Sequence, residues 1–207
     1  MSRGPRSFFL IAIPLALVAA LVGLKFRETQ AARTLIALPR YGRLPSFDGI
    51  DQDGQSVSSE SLTGSVWVAD FIFTRCAGQC PLMTSRMAQV VETVREDERV
   101  QFVSFTVDPS WDTPPVLSQY ARTQGAISRP SWRFVTGDAA ALARLCREGF
   151  RLSLAEGPGT TEEPITHSTR FVLVDRQGLI RGYYDATDET QFQQLRRDLR
   201  RLLQAES

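Results

Sequence analysis

The segment Val66-Trp-Val-Ala-Asp-Phe-Ile-Phe73 runs directly into Thr74-Arg-Cys76-Ala-Gly-Gln-Cys80-Pro81. The first half is rich in β-forming residues and apolar on both faces, which is typical of a central strand. After Pro81, apolar residues recur at helical spacing, which predicts a helix from about Pro81 to Asp97. Two cysteines therefore lie at a strand-to-helix junction, where α/β sheets usually present reactive groups.

The sequence on either side of this junction extends the pattern. Strands are predicted at Val100–Val107 and Trp132–Thr136, and helices at Pro114–Gln124 and Ala139–Phe150. Further along, Arg170–Val174 and Leu179–Tyr184 flank a turn and predict a hairpin, and the last helix carries Phe192, Leu195, Leu199 and Leu202 on one face. Upstream, Asp53-Gly54 within Phe47–Ser58 predicts a small N-terminal hairpin. The pattern predicts an α/β fold, with a central sheet flanked by helices.

Composition limits the possible functions. The chain has 207 residues, 43% of them hydrophobic, which suits one domain plus a short extension. The 24 basic and 23 acidic residues nearly cancel, so no strong field would attract nucleic acid. We expect no nucleic-acid partner.

The N-terminus predicts attachment to a membrane. Residues 1–7 include Arg3 and Arg6, and residues 8–24 form an uninterrupted apolar run. As a helix this run would extend about 26 Å, near the lower limit for spanning hydrocarbon. The basic residues predict that residues 1–7 stay in the cytoplasm. Residues 25–43 would then form a tether, and residues 44–207 a domain on the other side of the membrane, which in a bacterium is the periplasm. A retained single-pass anchor is favoured, although the sequence leaves cleavage open.

The three cysteines cannot all pair within one molecule. Cys146 falls on the apolar stripe of a predicted helix, where it fits as a small buried side chain. The candidate pair is Cys76 and Cys80, both expected at the positive end of a helix dipole that would stabilise thiolates. Their three-residue spacer permits a disulfide but also leaves room to bind one ion.

The only histidine, His167, follows a long irregular stretch from Ser153 to Thr166. Two thiolates and one imidazole would form a soft ligand set suited to copper. Zinc is less favoured, because structural zinc usually takes four protein ligands. A structural disulfide and an ordinary polar histidine are the alternative interpretations.

The whole pattern resembles the Sco (SenC-type) family. The segment from Phe71 to Pro81 is similar to the signature of that family. Three later regions also match the family: Asp108-Pro109 with Asp112-Thr113-Pro114, Trp132 with Thr136-Gly137, and His167-Ser168 with Val174-Asp175. The resemblance spans roughly Leu44 to Leu203. As a combined pattern it is highly specific.

This resemblance implies a thioredoxin-like fold of the peroxiredoxin-like variant, which binds copper, Cu(I) or Cu(II), through Cys76, Cys80 and His167. It also implies a role in assembling the binuclear copper site of cytochrome c oxidase, with the copper-site subunit as partner. Some relatives are thought to act mainly as thiol-disulfide reductants, so an enzymatic role for Cys76 and Cys80 remains open. Thr166 departs from the acidic residue that many relatives carry before the histidine. A peroxidase is the weakest alternative, because the Pro-x3-Thr-x2-Cys pattern is not met.

Overall fold

The computed structural model describes residues 38–94, 97–126, 131–155 and 166–205. The predicted anchor at 8–24 and most of the predicted tether lie outside these ranges. Within them, no helix combines the length and the apolar character needed to span a bilayer. The membrane segment therefore stays a prediction.

The secondary structure alternates as the sequence predicts. The strands are β1 Gly42–Arg43, β2 Asp48–Asp51, β3 Ser56–Ser58, β4 Val66–Ile72, β5 Val100–Thr106, β6 Trp132–Thr136, β7 Leu154–Ala155, β8 Thr166–His167, β9 Arg170–Val174 and β10 Leu179–Asp185. The helices are α1 Gln79–Thr93, α2 Pro114–Thr123, α3 Ala139–Arg144 and α4 Glu189–Ala205, and α3 continues into a π-helical turn, Leu145–Gly149.

Eight of the described strands form one mixed sheet in the order β1-β10-β9-β4-β5-β6-β2-β3. Strands β4, β5 and β6 run parallel, whereas β9 pairs antiparallel with β4 and β10 with β9. The predicted α/β class, with a central sheet and flanking helices, is confirmed. Strands β2 and β3 pair antiparallel around Asp53-Gly54 and join the sheet through β6.

Strand β4 lies near the middle of the sheet, and all seven of its residues are buried. Its side chains alternate between two apolar clusters. Val68 and Ile72 pack with residues of α1 and α4, whereas Trp67 and Phe71 pack with residues of α3 and the π-helical turn. Because full burial of one large apolar side chain contributes about 1.5–3 kcal/mol, the two-sided core holds β4 firmly in place. The cysteine junction is thus attached to a rigid strand.

Residues 38–43, which the sequence assigned to a tether, pack against the domain. The Tyr41 N–H donates to the Ile180 carbonyl at 2.9 Å, and β1 pairs with β10. The buried Arg181 guanidinium donates to the carbonyls of Leu38 and Pro39 and pairs with Asp175 at 2.8 Å. The compact unit accordingly begins at Leu38 rather than near Leu44.

Cys146 lies in the π-helical turn and is 1% exposed. It packs in the cluster that contains Trp67 and Phe71, and burial raises the pKa of its thiol to about 11. This environment matches the buried apolar role predicted for Cys146.

Candidate metal centre

Cys76 and Cys80 lie where β4 leaves the sheet. Strand β4 ends at Ile72, a short loop carries Cys76, and α1 begins at Gln79. The Cys80 backbone N–H donates to Cys76 Sγ at 3.5 Å, so the first turn of the helix holds the Cys76 sulfur beside it. All three cysteines fall within the described residues, and none forms a disulfide.

The helix begins earlier than the sequence predicts. The sequence predicts a helix from about Pro81 with Cys80 at its entrance, but Cys80 is the second helical residue and Pro81 the third. The first-turn N–H groups of a helix have no intrahelical acceptor, so proline costs little there. The preference of a residue before proline for extended dihedrals is overridden at Cys80.

The two cysteines differ in exposure, because Cys80 is fully buried and Cys76 is 9% exposed. The expectation that the helix dipole stabilises both thiolates is wrong for Cys80. Burial raises the pKa of the Cys80 thiol, and a backbone hydrogen bond at Phe73 offsets only part of that effect. Desolvation outweighs the dipole here, so any ion that binds Cys80 must displace a proton.

A carboxylate fixes the loop between β4 and Cys76. Asp112 is fully buried and accepts hydrogen bonds from the backbone N–H of Thr74, at 3.2 Å, from the Thr74 hydroxyl and from the Thr106 hydroxyl. Burial raises the pKa of Asp112, while these hydrogen bonds oppose that shift. The ends of β4 and β5 are thereby tied together two residues before Cys76.

A second contact holds the outer side of the loop. Arg75 donates to the Asp108 carboxylate, with Nε at 3.2 Å, and its guanidinium lies 4.6 Å from the centre of the Trp111 ring. Asp108 is nearly buried, whereas Trp111 is 51% exposed. An aromatic surface therefore stands beside the cysteine loop, held by the residue that precedes Cys76.

Helix α2 contributes a polar side chain behind Cys80. The Thr84 hydroxyl donates to the Cys80 carbonyl at 2.9 Å and lies 2.7 Å from the Tyr120 hydroxyl. With its proton committed to that carbonyl, Thr84 accepts from Tyr120. The backbone of the turn that carries Cys80 is in this way connected to α2.

His167 approaches the same edge of the sheet through its backbone. His167 is the second residue of β8, which pairs with β7 so that His167 lies opposite Leu154. Strand β9 begins three residues after His167, at Arg170. Because β9 runs antiparallel to β4, with Ala69 opposite Val172, the start of β9 lies at the edge where β4 ends. The side chain of His167 lies outside the described residues, as does the segment 156–165.

Among the described side chains, no three His, Cys, Asp or Glu residues are grouped so as to hold a metal ion. Of the three predicted metal ligands, Cys76, Cys80 and His167, the structure thus describes the side chains of Cys76 and Cys80. Sequence reasoning missed Asp70, a fully buried carboxylate in β4, and the contact between Thr74 and Asp112. The sequence does show Asp70 as a single acidic residue inside an otherwise apolar strand, and this pattern could have identified it. No local sequence pattern indicates the contact between Thr74 and Asp112.

The fold and sequence match known proteins. A SCO1 protein homologue from Bacillus subtilis is 33% identical over 152 residues, which cover 72% of this chain and 77% of the relative. A solved structure of BsSco, described as a member of the Sco family of cytochrome c oxidase assembly proteins, superposes with a TM-score of 0.68 at 30% identity, covering 80% of this chain and 95% of that one.

A copper-bound structure shares the fold. Bradyrhizobium japonicum ScoI with copper bound superposes with a TM-score of 0.63 at 24% identity, covering 75% of this chain and 99% of that one. The family model SCO1/SenC matches residues 40–204, which include the whole described sheet and all of the described helices except the last residue of α4. The chain belongs to the SCO1/SenC family.

Proposed function

We propose that this chain is a membrane-anchored copper-binding metallochaperone that assists assembly of the binuclear copper site of cytochrome c oxidase. The observation that carries the proposal is the placement of Cys76 and Cys80 on one rigid junction, with the Cys80 N–H bonded to Cys76 Sγ. The backbone of His167 reaches the same sheet edge through β9. Copper bound to a Sco protein of the same fold supports this choice of cargo.

The donor set fits a soft ion. Two cysteine sulfurs and one imidazole suit Cu(I), and the same set accommodates Cu(II) with an open or weak further position. The sulfurs must lose their protons on binding, which makes copper affinity dependent on pH. Burial raises the pKa of the Cys80 thiol, so removing its proton adds to the cost of binding.

The surface around the loop suits transfer to another protein. Cys76 is the more exposed of the two cysteines, at 9% against 0%, and Trp111 presents an exposed ring beside the loop that carries it. Exposed aromatic side chains are enriched at protein interfaces. We expect the copper-site subunit of the oxidase to dock on this side of the molecule and to receive copper first from Cys76.

A thiol-disulfide oxidoreductase that keeps oxidase cysteines reduced is the second candidate. The unequal exposure of the two cysteines, 9% for Cys76 against 0% for Cys80, favours it, because the more exposed residue can attack a client disulfide while the other resolves the product. This function needs Cys76 and Cys80 but not His167. The His167→Ala variant therefore separates the two candidates in cells that depend on this chain for oxidase activity.

The proposed location is the bacterial inner membrane, with residues 8–24 as a single span and the domain in the periplasm. Protease added to intact spheroplasts should degrade the domain, and the same protease added outside intact cells should not. Protection of the domain in spheroplasts would contradict this orientation.

The experiment that tests copper binding uses the full chain, reduced and purified in detergent. We expect about one copper per chain for the wild type and a large loss of copper in both Cys76→Ser and Cys80→Ser. Cys146→Ala is the matched control, because Cys146 is buried in the other apolar cluster, and it should keep the wild-type stoichiometry. Equal copper contents in all four proteins would contradict the proposal.

A further inference from the structure

The first turn of α1, which carries Cys80, lacks the residues that usually stabilise the start of a helix. Gly78, at the N-cap, has no side chain with which to cap the helix, and the first turn contains no acidic residue. Capping side chains and acidic first-turn residues are the common stabilisers of a helix N-terminus. In addition, Pro81 disfavours helical dihedrals at Cys80, the residue before it. This turn therefore needs support from another part of the molecule.

A chain of two hydroxyl groups joins this turn to α2. The Thr84 hydroxyl donates to the Cys80 carbonyl at 2.9 Å, and the Tyr120 hydroxyl lies 2.7 Å from the Thr84 oxygen, to which it donates. Thr84 is buried, so water does not compete for these bonds. The backbone of the Cys80 turn is thus linked by hydrogen bonds to a residue of the neighbouring helix.

Tyr120 is itself held in place by the sheet. Its ring packs edge-on against Phe134 in β6, with the ring centres 5.8 Å apart, and Phe134 stacks on Trp132 at 5.0 Å. Both of these sheet residues are buried. Burial raises the pKa of Tyr120, so its hydroxyl keeps its proton and remains a donor. The hydroxyl that supports the Cys80 turn therefore belongs to a side chain anchored in the core.

We propose that Tyr120, acting through Thr84, is a positioning residue that keeps the first turn of α1 helical and so keeps Cys80 beside Cys76. The turn places the Cys80 N–H 3.5 Å from Cys76 Sγ, and unwinding of the turn would break this contact. Tyr120 takes the part that a capping residue takes in other helices, but from α2 rather than from the chain just before α1. Only its consequence for copper rests on the proposed function, because the positioning itself is a property of the metal-free chain.

The test is amide hydrogen exchange in the reduced, metal-free full chain, read at single residues by mass spectrometry with fragmentation. The amides from Leu82 to Thr84 report on the first turn, because in an α-helix they donate to the carbonyls of residues 78–80. Tyr120→Phe removes the hydroxyl and keeps the ring. We expect these amides to exchange about 3–10-fold faster in Tyr120→Phe, and the amide of Val90, in the middle of the helix, to exchange at the wild-type rate.

Two substitutions of Thr84 test whether Tyr120 acts through it. Thr84→Val keeps the shape but removes the hydroxyl, so it should speed exchange in the first turn at least as much as Tyr120→Phe. Thr84→Ser keeps the hydroxyl and should retain most of the protection. In the Thr84→Val background, Tyr120→Phe should speed exchange no further, because the bond that it removes is already absent. Additive effects of the two substitutions would overturn the proposal, and so would equal exchange in Thr84→Ser and Thr84→Val.

The matched control is Tyr184→Phe. Tyr184 belongs to the apolar cluster that contains the two cysteines, and its hydroxyl donates to Asp198 at 3.0 Å. The control therefore also removes one bonded tyrosine hydroxyl from the same side of the sheet, but away from α1. It should leave exchange in the first turn at the wild-type rate, because that exchange follows local opening rather than global unfolding. Wild-type exchange of the first turn in Tyr120→Phe, or equal acceleration in Tyr184→Phe, would overturn the proposal.

The consequence for copper is measured as the rate at which the Cu(I)-loaded full chain loses copper to an excess of bicinchoninate, a chelator of Cu(I). Tyr120→Phe should lose copper about 3–10-fold faster than the wild type, and Tyr184→Phe at the wild-type rate. Equal rates for Tyr120→Phe and the wild type would contradict the role of Tyr120 in holding the copper ligands. A wild-type chain that takes up no copper would instead contradict the proposed function, and the exchange measurement would then decide the positioning role by itself.

Discussion

The buried Asp112 carboxylate accepts hydrogen bonds from both the backbone N–H and the hydroxyl of Thr74, two residues before Cys76. The same carboxylate accepts from Thr106 at the end of β5. One side chain therefore joins the ends of two parallel strands and fixes where the cysteine loop begins. We expect this contact to restrict the loop that carries Cys76 and so to keep the two sulfurs close together.

Replacement of Asp112 should loosen the loop and destabilise the fold. Asp112→Ala leaves the Thr74 N–H and the Thr106 hydroxyl without their acceptor, so we expect a loss of about 2–3 kcal/mol in the free energy of unfolding. Asp112→Asn keeps one acceptor oxygen and should lose about half as much. Chemical denaturation followed by tryptophan fluorescence measures both, and equal stability of Asp112→Ala and the wild type would contradict the role assigned to Asp112.

The three thiols should differ sharply in their reactivity toward iodoacetamide. In the native protein near neutral pH we expect Cys76 to react fastest, because it is 9% exposed against 0% for Cys80 and 1% for Cys146, and because burial raises the pKa of Cys80 and Cys146. In denaturant all three should react at similar rates. Peptide mapping by mass spectrometry checks this, and rapid native modification of Cys146 would argue against the described packing.

Stability should fall as pH rises through the range in which Asp70 ionises. Burial raises the pKa of Asp70 from 3.8 to about 7, so the folded state retains a proton that the unfolded state has lost. The stability contributed by that proton is fully present below about pH 4 and disappears as pH rises through about 7, a change of a few kcal/mol at most. Asp70→Asn should remove most of this dependence and should be more stable than the wild type at about pH 8.

Urea denaturation of the wild type and Asp70→Asn at several pH values tests the Asp70 prediction. Several surface carboxyls have lowered pKa values, Glu60, Asp97, Asp188 and Glu189 among them, and contribute weakly in the opposite direction. Parallel stability-against-pH curves for Asp70→Asn and the wild type would show that Asp70 does not ionise in this range.

Trp111 and Trp132 should behave differently on truncation. Trp111 is 51% exposed, so Trp111→Ala should change stability by no more than about 0.5 kcal/mol. Trp132 is 1% exposed and donates to Ser104, so Trp132→Ala should lose about 3–5 kcal/mol. If Trp111 is part of the docking surface for the oxidase subunit, Trp111→Ala should nevertheless slow copper transfer. A loss of several kcal/mol in Trp111→Ala would instead make this residue structural.

The sequence predicted the central sheet well because its signal is local. Strand β4 shows as an apolar segment broken only by Asp70, and the stripe through Leu142, Leu145 and Cys146 marks the buried face of one helix. The π-helical turn from Leu145 to Gly149 was not predicted, because its apolar spacing differs little from that of a regular helix.

The candidate site was only partly predictable. The positions of Cys76 and Cys80 follow from a motif within one short segment, but the exposure of each sulfur depends on packing against distant elements. The contact between Thr74 and Asp112 joins residues 38 apart in sequence and has no local pattern. The predicted stabilisation of the Cys80 thiolate was wrong because the helix end predicts a lower pKa, whereas the apolar cluster around Cys80 raises it.

The most direct test of the copper account is a titration of the reduced full chain with copper, comparing the wild type with His167→Ala and Cys146→Ala. We predict about one copper per chain in the wild type, a Cu(II)–thiolate absorption that is altered in His167→Ala, and an unchanged spectrum in Cys146→Ala. A wild-type chain that binds no copper above background would contradict the metallochaperone. Identical copper affinity and spectra in His167→Ala and the wild type would remove His167 from the site and favour thiol-disulfide exchange.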